Sequence, residues 1–280
     1  MSQFRIVHKT GYRYPGGATA SFNEARMTPL TSHRQLVLST RLDIGPVAWR
    51  HSYRDYWGTS TVAFEVHEPH EQMEVVATST VDIHEVERAQ TSLDWADLAD
   101  PKLVDVLNEY LQQTRYVAPH EQVAVLARRV RARAARPADA VTDIVNQLRQ
   151  RVEYVSGVTE VHTPASEVWD ASAGVCQDLA HLTIGALRTI GIPTRYISGY
   201  VIARREPEIG EAMVGESHAW VQYWDGEWVG IDPTTQTEPR ASHVEVAAGR
   251  DYGDVPPLRG IYTGTGGSDM FVSVEMTRLT

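Results

Sequence analysis

Cys176 is the only cysteine among 280 residues, and His218 and Asp232 follow it in the chain. Together these three residue types perform nucleophilic acyl chemistry: a thiolate attacks a carbonyl carbon, an imidazole trades the proton, and a carboxylate fixes the tautomer of the imidazole and stabilises its cation. A lone thiol cannot form an intramolecular disulfide, and one thiolate is too few for a structural zinc cage built on cysteines. Cys176 is therefore either a small core residue or a nucleophile. Taken singly, His218 also reads as a strand histidine satisfied by a carbonyl, and Asp232 as a turn former ahead of Pro233. Their ordered combination is what points to catalysis.

Two elements must position these groups. From Gly174 to Pro193, Leu179, Leu182, Thr183, Ala186, Leu187 and Ile190 recur at the spacing of one buried helical stripe, with Gly191 as C-terminal cap and Pro193 as a stop. Cys176 falls in the first turn, where free N–H groups and the helix dipole favour negative charge. Such settings lower a thiol pKa from about 8.5 to roughly 3.5–7.5. At 100° per residue, Asp178 and His181 turn away from Cys176 by about 200° and 140°. Asp178 reads as a charge complementing the dipole, and His181 as a supporting or surface group. Downstream, His218 to Trp224 and Glu227 to Ile231 predict a hairpin around Asp225-Gly226. A two-residue loop would place Asp232 opposite Ala219, away from His218. A three-residue loop, Asp225 to Glu227, pairs Asp232 with Trp220 and brings both polar groups to one face, so the odd-length loop or an equivalent bulge is expected. The backbone N–H of Cys176 is one candidate donor to an oxyanion, and Trp169 or Tyr154 is a candidate second donor. Trp220, Trp224 and Trp228 read either as core or as the lining of an acyl-donor groove.

The stretch Gly174-Val175-Cys176-Gln177-Asp178-Leu179-Ala180-His181 resembles the catalytic core of the bacterial transglutaminase-like proteins, within the papain-like cysteine protease superfamily. So do Gly191-Ile192-Pro193-Thr194-Arg195-Tyr196 through Gly199-Tyr200, Ser217-His218-Ala219-Trp220-Val221 and Gly230-Ile231-Asp232-Pro233-Thr234. His8 to Tyr14 with Tyr53 to Gly58 is similar to the family's N-terminal β domain, and Gly249 to Gly260 to its C-terminal signature. Thr59 departs from the Asn more usual there, at a surface turn. The resemblance implies a Cys-His-Asp triad at Cys176, His218 and Asp232 and acyl transfer through a thioester. It leaves the acceptor open: water would make a peptidase, amidase or deamidase, the favoured reading, and an amine would make a transglutaminase. A noncatalytic peptide-binding module and a metal site built from Cys176, His218 and Asp232 are the competing classes, with no metal and no cofactor expected.

A net charge of −10 argues against general nucleic-acid binding. Arg128 to Arg133 accordingly reads as a solvated helix face. No apolar run approaches the ~20 residues needed to span a bilayer, so no membrane partner is expected. Met1 to Lys9 lacks the apolar stretch of a secretory leader, and the expected setting is the cytoplasm. The expected fold class is α+β. An N-terminal β-sandwich-like domain (1–90) is read from alternation in Phe4 to Tyr14, Arg41 to Ile44, Thr61 to Val66 and Met73 to Ile83. It precedes a papain-like core of helices on an antiparallel sheet (91–280, core motifs 150–235). Helical stripes run through Leu103 to Leu111, Val123 to Val130 and Val141 to Leu148, after a helix opening at Ser92 to Trp95. The segment 248–267 is either an active-site rim or a strap between the two parts.

Overall fold

Alternation from Phe4 onward builds strand β1 (Ser2–Ala25), with Phe4, Ile6, His8 and Thr10 turned inward and Arg5 and Lys9 outward. The computed structural model describes residues 2–84, 93–202, 208–240 and 243–280. The expected boundary near residue 90 and Ser92 itself lie outside these, but the helix opening read over Ser92 to Trp95 is found at Asp94, whose carboxylate accepts the N–H groups of Ala96 at 2.7 Å and Asp97 at 2.9 Å ahead of Trp95. After β1 come β2 (Gln35–Gly45), β3 (Trp49–Arg54), β4 (Ser60–Val66) and β5 (His70–Ile83). The first half of β1 pairs antiparallel with β5 and its second half with β4, across an irregularity between Arg13 and Ala18 that bends the strand. The bend curls the sheet around Phe64, Met73, Val75 and Met27.

Helices α1 (Trp95–Leu98), α2 (Pro101–Val106), α3 (Glu121–Arg131) and α4 (Pro137–Arg151) follow. The stripe expected to run to Leu111 breaks after Val106, which is exposed, and Asn108–Tyr110 form a 3-10 turn. That turn sets Tyr110 edge-on to Trp228, with ring centroids 4.9 Å apart. At the end of α3, Arg131 donates to the Ile190 carbonyl and lies over the Trp95 ring, and Arg133, in the turn beyond the helix, pairs with Asp143. A short strand β6 (Glu153–Tyr154), α5 (Ala165–Ala171) and β7 (Ala173–Gly174) lead into α6 (Cys176–Thr189). The single stripe expected for α6 understates its burial: every residue from Asp178 to Arg188 is buried, because α3, α4 and α5 pack around it and the sheet lies beneath. Leu179, Leu182, Ile184 and Leu187 are fully buried, each stabilising the core by about 1.5–3 kcal/mol.

Strands β8 (Thr194–Val201), β9 (Ala212–Trp224), β10 (Trp228–Ile231), β11 (His243–Gly249), β12 (Leu258–Gly264) and β13 (Asp269–Arg278) complete the chain. The path β11-β8-β9-β13-β1-β4-β3 forms one sheet of 11 strands, with β10 on β9, β12 and β5 on β1, and β2 on β5. The fold is α+β with a curled antiparallel sheet. Strand β13 joins its two parts, pairing with β1 along one edge and with β9 from Val274 to Thr277 along the other. The segment 248–267 acts both as rim and as strap. Tyr252 and Pro257 line the cavity of Cys176, while β12 pairs with β1. No helix among the described residues is long and apolar enough to cross a membrane.

Candidate active site

Cys176 opens α6 through a turn that the sequence supports locally. Ser172 caps α5 in the left-handed conformation (φ 55°), and β6 and β7 then pair in parallel, setting Tyr154 beside Gly174. Asp178 accepts the N–H of Val175 at 2.8 Å and the hydroxyl of Thr159 at 2.6 Å, latching the turn from beneath. Burial pushes the Asp178 carboxyl up against the pull of those two bonds. Glycine is required at 174 because a Cβ there would meet Asp178 Oδ2 at 2.7 Å. The first intrahelical bond runs from Leu179 N–H to the Val175 carbonyl, so the N–H of Cys176 belongs to the unsatisfied first turn.

The hairpin has the three-residue loop. Trp228 pairs with Trp224 and Ile231 with Val221, and Gly226 adopts the left-handed conformation (φ 86°). Asp232 follows opposite Trp220, on the same face as His218. The His218 Nε2 to Asp232 Oδ2 distance is 3.0 Å. Asp232 is fully buried and also accepts Thr234 N–H at 2.8 Å, Thr235 Oγ1 at 3.1 Å and His243 Nε2 at 3.4 Å. Burial would raise its carboxyl, but the bonds from both histidines and the His218 charge outweigh burial and hold it well below the usual carboxylate range. Burial likewise opposes the charge of His218. Its bonds to Asp232 and Cys176, with their charges, reverse that and raise the imidazole to about 10. With Nε2 committed to Asp232, Nδ1 is the nitrogen left for Cys176.

Cys176 and His218 share a cavity of about 250 Å³ with Tyr196, Ser198, Val272 and His8. Tyr154 interacts with Cys176; burial first, then the charge of Cys176, pushes its phenol up to about 12, which keeps the hydroxyl a donor. The structure thus brings Cys176, His218, Asp232 and Tyr154 together. Trp169 is not in the cavity: its indole donates to Gln122 Oε1 at 3.0 Å and its ring lies under Arg151. Trp220 is fully buried beneath His218, their ring centroids 6.2 Å apart, and lines no groove. His181 is no surface group; it is fully buried and accepts the N–H of Tyr252 at 3.2 Å.

Two neighbours escaped the sequence reading. His8 comes from β1; its Nδ1 lies 2.8 Å from the Tyr200 hydroxyl, and burial lowers its pKa to about 4. Nothing local marks it, because only the pairing of β1 with β13 carries it here. His243 reaches Asp232 from β11. Among the described residues, His218, Asp232 and His243 are a group that could hold a cation, their ligand atoms lying within 4.8 Å of one another.

Comparison with known sequences matches residues 4–82 to the bacterial transglutaminase-like N-terminal region and residues 124–233 to the transglutaminase-like superfamily. An uncharacterized protein of Mycobacterium leprae is 41% identical over 279 residues, covering 100% of both chains. The chain belongs to the transglutaminase-like superfamily. An uncharacterized protein of Mycobacterium tuberculosis is 33% identical to this transglutaminase-like chain over 98% of it and 92% of the relative. A crystal structure from Cytophaga hutchinsonii, described as that of a candidate cysteine protease, superposes with a TM-score of 0.78 at 24% identity. It covers 100% of this chain and 91% of that one, a shared transglutaminase-like fold.

Proposed function

We propose that the protein is a cysteine-dependent acyl-transfer enzyme that hydrolyses amide bonds of peptides or proteins through a thioester. The observation that carries this reading is the His218–Asp232 pair at 3.0 Å, with the other ring nitrogen turned to Cys176 in a common cavity. In the reactive form the proton resides on His218 and the sulfur is the thiolate. Sulfur adds to the carbonyl carbon, and the oxyanion is met by the Cys176 N–H and the Tyr154 hydroxyl. The C–N bond breaks as the leaving amine takes the proton from His218. The neutral imidazole then takes a proton from water as hydroxide adds to the thioester, and the C–S bond breaks to release the carboxylic acid and restore the thiolate beside the imidazolium. Asp232 holds the ring in orientation throughout.

A strand edge beside the cavity that has no pairing partner among the described residues favours a peptide substrate. Trp224 donates its N–H to Pro193, on the β8 side. By period-two alternation the N–H and C=O of Ser217 and Ala219 face the opposite edge, which β13 leaves at Gly215 and β10 rejoins at Val221. An extended chain can add there as a strand, with its carbonyl at Cys176. The cytoplasm, where a thiol stays reduced, is the compartment we assign.

Incubation with glutamine-bearing peptides, with and without a primary amine, tests the reaction by product mass. Hydrolysis predicts a cleaved or deamidated product and an acyl adduct on Cys176. An amine-bearing product would make the enzyme a transglutaminase. Neither product, together with alkylation of Cys176 by iodoacetamide at pH 6 no faster than that of a free thiol, would leave a noncatalytic binding module.

A further inference from the structure

A broader cleft of about 800 Å³ continues from the Cys176 cavity, the two sharing Val161, Tyr252 and Met270 as a common wall. Its charged groups are unevenly matched. Arg250 pairs with Asp254 at 2.9 Å and Glu109 at 3.6 Å, and Arg259 pairs with Glu24 at 2.6 Å. Asp251, the other acid in the wall, is buried and accepts the N–H of Gly253 at 2.7 Å. Arg115 is exposed in the cleft and, among the described residues, meets no carboxylate. Its guanidinium lies over the Tyr116 ring, 4.6 Å from the centroid, and donates to the Tyr116 hydroxyl at 2.7 Å.

That hydroxyl also lies 2.9 Å from His162 Nδ1. Arginine can only donate, so the Tyr116 oxygen accepts from Arg115, and the bond to His162 Nδ1 uses either the oxygen's remaining lone pair or its own proton. In the tautomer that takes the Tyr116 proton at Nδ1, His162 carries its N–H at Nε2 and supplies a second donor. Tyr116 is itself buried and stacks on His181 with ring centroids 5.6 Å apart, and His181 takes the N–H of Tyr252. The two donors are therefore tied through one tyrosine to the helix that carries Cys176. In a chain with a net charge of −10, an unneutralised guanidinium and an exposed imidazole on the same tyrosine, beside the Cys176 cavity, are matched to an anion.

We infer that Arg115 and His162 bind a carboxylate of the substrate peptide, and so select acidic peptides or free C-termini for presentation to Cys176. The inference rests on the peptide reading above. Tyr116 is the positioning residue, since its hydroxyl orients both donors.

Binding to the full-length Cys176→Ala protein, measured by calorimetry, tests this without requiring turnover. The probes are short peptides in matched pairs: glutamate against glutamine with an amidated C-terminus, and glutamine peptides with free against amidated C-termini. One carboxylate is expected to tighten binding about 10- to 100-fold over its neutral twin, the range for a charge-assisted bond. The pair that shows the effect identifies a side chain or a terminus as its source. Arg115→Gln should abolish the preference, Arg115→Lys should retain part of it, and His162→Gln should weaken it. Equal binding of the twins, or a preference that survives Arg115→Gln, overturns the inference alone. If no peptide of any kind binds, the peptide reading falls and this inference with it.

Discussion

His218 and Asp232 are separated by 14 positions and a hairpin turn, yet Nε2 and Oδ2 lie 3.0 Å apart because Asp225 to Glu227 form a loop of odd length. Side chains alternate across a strand, so loop parity decides which face Asp232 occupies. Deleting Gly230, within β10, should shift Asp232 from opposite Trp220 to opposite Val221 and so turn Ile231 and Asp232 to the other face, abolishing amide hydrolysis and lowering the melting temperature. Glu227→Gly preserves the parity and should preserve activity. Product mass and calorimetry on the two variants check this.

Asp232→Asn keeps the shape of the site while removing the charge that helps hold His218 protonated. A fall in kcat of roughly 100- to 10,000-fold is expected, with KM little changed. With the imidazole at about 10 in the native protein, the alkaline limb of the rate profile should lie near that pH and shift lower in the variant. A pH profile of kcat/KM on a cleaved peptide reads both effects.

Tyr154→Phe removes one proposed donor to the oxyanion without changing the ring. The expected result is a drop of about 100-fold in kcat, with peptide binding to the Cys176→Ala background unchanged. Stopped assays and calorimetry separate the two quantities.

Gly174→Ala would drive a methyl into Asp178 Oδ2, a contact of 2.7 Å against a fully buried carboxylate. A loss of about 1–3 kcal/mol is expected, which in a chain of this size lowers the melting temperature by several degrees. Because Asp178 latches Val175, the same variant should also slow alkylation of Cys176. Calorimetry and iodoacetamide labelling measure the two outcomes.

Acid stability should reflect the two buried neutral histidines. Burial lowers His8 to about 4; burial and then the charge of Arg188 lower His181 to about 3. Below about 6.5 the unfolded chain takes up protons that the folded chain refuses, so stability falls as pH drops from 6.5 toward 4 and then 3. The contribution of His8 is on the order of 3 kcal/mol. His218 has the opposite sign: its folded pKa is raised, so its contribution is complete below 6.5 and is lost only as pH rises through about 10. Melting temperature should therefore decline on the acid side of 6.5, and His8→Gln should flatten the decline.

What the sequence discloses here is what local periodicity and turn chemistry control. The start of α6 at Cys176 and the Asp225-Gly226 hairpin follow from residues within a few positions of one another, whereas the loop parity follows only from requiring His218 and Asp232 to share a face. The burial of His181 was hidden because a stripe of apolar residues reports one face of α6, whereas α3 to α5 cover the rest. Trp220 was open to two readings because alternation places it on the face of His218 without saying how far the core extends beneath them. His8 and Val272 reach the cavity only through the pairing of β1 with β13, a contact between distant parts of the chain that leaves no mark in either segment.

Strand β13 also bears on synthesis. Met270 and Val272 form part of the wall around Cys176, and Val274 to Thr277 supply the second edge partner of the strand that carries His218. A nascent chain still holding Asp269 to Arg278 inside the ribosome lacks that wall, although Cys176, His218 and Asp232 have already emerged. The cavity around Cys176 can close only after these residues are released, so its wall stays incomplete until translation has passed them.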